Sequence, residues 1–247
     1  MKETGLMFKA PLVRAILEGR KTQTRRIIKN QPFDVSWSKR DHEIAYVTGR
    51  ASQGDEADGL VAYTKHGGGT WCAKSPVGQP GDRIYVRETF NHFERNENFK
   101  EGCECFYRAD GDCVDLQPWR PAIHMPKHAA RIWLEITSVR VERLQDLSNE
   151  DAIAEGVNRI SHGREGYYYS AIRDEQHPKN WNYPDDAFRE LWDSTTGRPA
   201  LPANKNSKRY ARVKHWLDTH PDTTGWAANP WVWVIDFKTI STTGRPA

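Results

Sequence analysis

Lys21 and Thr24 are an amine and a hydroxyl set close together in the run Gly19-Arg20-Lys21-Thr22-Gln23-Thr24-Arg25-Arg26. A lysine among further cations resists protonation, so its pKa falls. A lysine that is neutral near physiological pH can take the proton of a threonine hydroxyl and leave a nucleophile. The bland alternative is a basic, solvated loop, which most charge runs are. The elements before the run argue for position. Pro11 suits the start of a helix, where a missing N–H costs nothing. Val13, Ile16 and Leu17 recur at helical spacing, and Gly19 suits the stop. The run therefore begins at a helix end, where side chains can point into a cleft. In a regular strand residues 21 and 24 face opposite sides, so their cooperation requires a turn or bulge.

Further along, alternating residues predict strands at Arg83–Phe90, Ala130–Val141 and Pro230–Ile240. In the last, Trp231, Trp233, Ile235 and Phe237 share one face, and Val232, Val234 and Asp236 the other. Leu147–Gly156 predicts a short helix with Ser148 as N-cap, Asp151 completing a capping-box-like pair and Gly156 ending it. A further helix is expected at Asp185–Trp192. The order is helix, strand, strand, strand, helix, strand. That order predicts an α+β fold: a small β-barrel with short flanking helices and long loop insertions. One domain is expected over 1–240, with insertions at about 32–79, 91–127 and 158–228. Residues 241–247 repeat the Ser-Thr-Thr-Gly-Arg-Pro-Ala of 194–200 and read as a disordered tail.

The chain has 247 residues, 28% charged and 37% hydrophobic, with a mean hydropathy of −0.81. Ten Trp, nine Tyr and eight Phe can still build a core. The net charge is only +3, but residues 1–29 hold eight Lys/Arg against two Asp/Glu. A local positive patch on a nearly neutral protein predicts an anionic partner at one site. Lys205, Lys208, Arg209, Arg212 and Lys214 form a second basic cluster, and nucleic acid is the natural partner if both lie on one face. No apolar run reaches membrane-spanning length and no signal peptide is present, so a cytoplasmic protein is expected, with no membrane and no obligate protein partner. Cys103, Cys105 and Cys113, near His92, His124 and His128, could hold zinc, but their spacing fits no common finger pattern. The expectation is reduced thiols, no metal and no cofactor.

Phe8-Lys9-Ala10-Pro11, continued by Gly19 to Arg26, resembles the opening of ASCH-domain proteins, a family of the PUA-like β-barrel superfamily. Pro80 to Glu88, Leu147 to Glu155 and Trp233 to Phe237 resemble its following strand, short helix and closing strand. With its insertions, Trp192-Asp193 and Asn229-Pro230-Trp231-Val232-Trp233, the chain is similar to the long bacteriophage and prophage type. The motif is similar to that of N4-acetylcytidine amidohydrolases, which use a lysine, a threonine and a glutamate. The resemblance implies Lys21, Thr24 and Glu155 as catalytic residues, with Glu150 and Glu88 as alternative positions for the glutamate. Arg20, Thr22, Arg25, Arg26 and Glu88 are expected to bind substrate. The implied reaction is hydrolysis of N4-acylated cytidine or a related modified nucleoside, with Thr24 as nucleophile and Lys21 as base. The alternative is a non-enzymatic RNA, DNA or modified-base binding module of phage origin, in which Trp71, Trp119 and Tyr167–Tyr169 stack on bases. A nuclease using Lys21 and Glu88 is a third reading.

Overall fold

The structure is a computed structural model that describes residues 1–29, 31, 42–47, 59–64, 72–92, 105–111, 118–161, 166–171, 181–195, 208–219 and 224–246. In chain order the elements are β1 (Glu3–Met7), α1 (Ala10–Leu17), β2 (Gln23–Ile27), β3 (His42–Val47), β4 (Gly59–Thr64) and β5 (Cys72–Lys74). There follow β6 (Arg83–Arg87), β7 (Phe90–His92), β8 (Cys105–Tyr107), β9 (Trp133–Arg143) and α2 (Asn149–Ala154). The chain continues through β10 (Asn158–Ser161), β11 (Tyr167–Ser170), α3 (Pro184–Thr195), α4 (Lys208–Thr219) and β12 (Trp231–Ser241). The fold is mixed α+β, rich in strands. Among the described residues no helix is long and apolar enough to cross a membrane.

A five-stranded sheet in the order β1-β6-β9-β12-β2 forms the frame. β1 runs parallel to β6, and the other neighbours are antiparallel. The two faces of β12 follow its sequence alternation. Trp231, Trp233, Ile235 and Phe237 join the core beneath α1, with Val13, Ile16, Ile84 and Leu134. Val232 and Val234 join a second core with Leu144, Ala152, Phe188 and Leu191 of the α2–α3 side. β9 carries a register shift opposite Asp236 and Phe237, whose partners are Ser138 and Ile136. That shift skips Thr137 and turns Ile136 and Val139, three positions apart, onto one core.

The sheet does not close into a barrel among the described residues: β1 and β2 are its two edges. Their ends are bridged by a side chain, because Arg26 Nη2 donates to the Met7 carbonyl at 3.1 Å. The β3–β4–β5 sheet and the β10–β11 hairpin lie within the stretches read as insertions; the strand expected at Arg83–Phe90 stops at Arg87, and Phe90 instead opens the β7–β8 hairpin. The chain end is held. Gly244 N–H donates to the Arg131 carbonyl at 2.9 Å, and Arg245 pairs with Glu3 at 3.0 Å.

Candidate active site

Three elements converge around Lys21. α1 ends at Gly19, whose φ of 72° reverses the chain. The N–H groups of Arg20 and Lys21 both return to the Ala15 carbonyl, at 2.9 and 3.0 Å. Thr22 N–H reaches the Ala154 carbonyl of α2, and the Thr22 carbonyl accepts from Phe237 N–H of β12. Lys21 therefore precedes β2, and strand alternation does not govern it. Glu155 stands at the C-cap of α2, behind the Ser148–Asp151 capping box, which forms in both directions. The next residue, Gly156, turns with φ 103° directly beside Lys21.

The Lys21 side chain is fully buried and pairs with Glu155 Oε2 at 2.6 Å. Its Nζ also donates to the Gln23 carbonyl at 2.6 Å and the Glu155 carbonyl at 2.7 Å. Burial pulls its pKa down, and Arg26 and Arg25 add to that. Glu155 opposes them, and the balance settles at about 8.

Arg25 is buried inward. It meets Glu155 Oε1 at 3.3 Å, Asp151 Oδ2 at 3.2 Å and Glu142 Oε2 at 3.5 Å. Beyond it Arg140 joins Glu142, Asp151 and Asp236, so this cation sits in a paired network. Burial pushes Asp151 up. The Gln23 hydrogen bond, Arg25, the Ser148 backbone and Arg140 outweigh that, and its pKa ends below the usual value.

A pocket of about 470 Å³ opens over this group between the two sheet edges. Thr24, Arg25, Arg26 and Glu155, with Lys9, Thr89 and Thr195, give its polar surface; Phe8, Leu12, Phe188 and Trp192 give much of its apolar wall. Trp192 turns its indole N–H away, to the Thr224 carbonyl at 2.9 Å, so it offers the pocket its ring. Thr24 is 1% exposed, and its Oγ1 accepts from Arg26 Nη1 at 2.8 Å. Lys21 lies behind the lining, in contact with Glu155, and does not hydrogen-bond Thr24.

The expected site residues therefore divide. Lys21, Thr24, Glu155, Arg25 and Arg26 come together. Arg20 pairs with Glu18 and the Gly156 carbonyl, and Thr22 is exposed; neither lines the pocket. Glu88 is buried elsewhere against Arg131 at 3.0 Å; burial raises its pKa, and Arg131 opposes that. Glu150 is exposed on the first turn of α2. Sequence reasoning missed Phe8, Lys9 and Phe188 as lining.

Among the described residues no three His, Cys, Asp or Glu side chains group as metal ligands. Cys103 and Cys113 lie outside the described residues, as do Trp71 and Lys205. Cys105 is half-buried and outside any disulfide among the described residues. Tyr167–Tyr169 belong to β11, where the Tyr167 ring stacks on Arg159. Trp119 is half-buried. Comparison with family models, curated proteins and solved structures gave no match.

Proposed function

We propose that the pocket hydrolyses the amide of an N4-acylated cytidine or a related modified nucleoside. One observation carries the reading: a fully buried lysine, with its pKa lowered to about 8, is paired to a glutamate that shares a pocket with a threonine hydroxyl. Burial of this kind tunes a base toward the working pH.

In this reading the base stacks between the aromatic walls and Glu155 accepts from the cytosine edge. Sharing Glu155 with the cytosine edge weakens the carboxylate's hold on the Lys21 proton. Neutral Lys21, released from Glu155, turns toward Thr24 or reaches it through one water, and takes the Thr24 proton. Thr24 Oγ1 attacks the acyl carbon, and Arg26, which stands beside Oγ1, turns an N–H to the acyl oxygen, where the negative charge develops. The C–N bond breaks as Lys21 returns the proton to the departing N4 amine. Water then hydrolyses the acyl-threonine, releasing the carboxylic acid. The curled sheet with its bridged seam is compatible with a PUA-like barrel, the architecture the motif resembles. The protein would act in the cytoplasm on a nucleoside or nucleic acid.

A second reading is favoured by one fact. All three Lys21 donors are occupied, by Gln23 O, Glu155 O and Glu155 Oε2, which suits a static binding module. Turnover separates the two. Chromatographic assay of N4-acetylcytidine with the wild type, Lys21→Ala and Thr24→Val is expected to give cytidine from the wild type alone. The loss in each variant is expected to be about a hundredfold or more. Equal rates in all three, or binding with no turnover, would replace hydrolysis with recognition.

A further inference from the structure

The positive charges of the pocket are unevenly compensated. Lys21 and Arg25 are answered by Glu155, Glu142 and Asp151. Arg26 has no carboxylate within ion-pair distance among the described residues and feels Glu155 only through space: its N–H groups go to Thr24 Oγ1 and the Arg25 carbonyl, both at 2.8 Å, and to the Met7 carbonyl at 3.1 Å. All are neutral oxygens. Lys9, exposed at the mouth, likewise meets only neutral oxygens, the Ser194 carbonyl at 3.0 Å and Ser194 Oγ at 3.5 Å. Glu155 is the pocket's own carboxylate, and Lys21 and Arg25 already hold it. A half-buried guanidinium without an anion costs free energy that a negatively charged ligand would recover.

Both cations line the same pocket. Arg26 lies over the Phe8 ring at 5.1 Å and binds the carbonyl of Met7, while Lys9, the residue after Phe8, reaches across to Ser194 in the last turn of α3. The pocket thus sets an aromatic ring with one cation at the β2 side and a second cation where α3 ends. That combination suits a ligand with a flat ring at one end and a phosphate at the other.

We propose that Lys9, with Arg26 behind it, binds a phosphate, so that the preferred substrate is a nucleotide and not the neutral nucleoside. The inference rests on the amidohydrolase reading for the acyl group; the phosphate contact itself does not. The phosphate can be the 5′-monoester of a mononucleotide or the diester of an RNA strand.

Calorimetric titration with cytidine, cytidine 5′-monophosphate and a short cytidine oligonucleotide tests the phosphate site. Parallel KM measurements on N4-acetylcytidine and its 5′-monophosphate test its link to turnover. The wild type is expected to prefer the phosphorylated ligand about tenfold, the size of one charge-assisted hydrogen bond at a partly exposed site. The preference shrinks with added salt. It falls to near parity in Lys9→Gln and persists in Lys238→Gln, whose lysine pairs with Glu135 on the surface. A monophosphate that outperforms the oligonucleotide assigns the site to a mononucleotide, and the reverse assigns it to a strand. Equal binding of cytidine and its phosphate, or a preference that survives Lys9→Gln, overturns the proposal. Phosphate preference without turnover keeps the site and removes the hydrolase; turnover without phosphate preference does the opposite.

Discussion

In the proposed mechanism Lys21 acts only in its neutral form, and its surroundings set when that form exists. Burial lowers its pKa from 10.5 to about 8, with Glu155 pulling the other way. The rate should therefore rise with pH and level off above about 8. Replacing Glu155 by Gln removes the carboxylate that holds the proton on. The midpoint should then move below that of the wild type while the plateau rate falls. Initial rates from about pH 6 to about pH 10 read both effects. A profile with no inflection in that range, or a midpoint that Glu155→Gln moves upward, contradicts the assignment. Arg25 shows the opposite use of a cation. It is buried among three carboxylates and fixes Glu155 in place. Breaking such a pair from one side strands a buried charge, so Arg25 substitutions report folding before they report catalysis.

At the scale of elements, two turns put the pair together. Gly19 ends α1 and Gly156 ends α2, both with left-handed φ. A Cβ on Gly156 would stand 3.1 Å from Ala15 Cβ and 3.3 Å from Lys21 Cβ. Gly156→Ala should therefore destabilise the fold by about 1–3 kcal/mol and lower the rate, because strain and crowding fall on the lysine itself. Urea unfolding gives the first quantity and the turnover assay the second; unchanged values for both would mean the turn does not position Lys21. Local signals made α1, β6, β9, α2 and β12 readable: apolar spacing, the Ser148 cap and alternating tryptophans. The break in parity from Ile136 to Val139 is the written trace of the β9 bulge. β1 has no such trace. Glu3–Met7 contains Gly5 and little alternation, and it becomes a strand by pairing with β6, more than seventy residues away. Gly5 is needed there because the Tyr85 ring lies where a Cβ would stand, 2.6 Å from it.

At the scale of the whole molecule, the pocket belongs to the seam of an open sheet. The edges β1 and β2 leave a gap that α1 and α3 cover and Arg26 bridges. Motif spacing made Lys21 and Thr24 readable. Their union with Glu155, 134 positions along the chain from Lys21, is tertiary, and only the family likeness suggested it. The basic run at residues 20–26 read as one positive patch. Folding splits it: Lys21 and Arg25 make ion pairs with carboxylates contributed by β9 and the α2 region, and Arg26 lines the pocket with no carboxylate among the described residues bonded to it. No local pattern foretells that division, because the carboxylates come from distant segments.

Acyl transfer to Thr24 is the step on which the proposed hydrolysis depends. Mass spectrometry of the wild-type protein, acid-quenched during incubation with N4-acetylcytidine, reads that step. An acetyl group is expected on the peptide that carries Thr24 and is expected to be absent from Thr24→Val. Cytidine released with that peptide unmodified at every quench time, and at the same rate from Thr24→Val, would contradict it.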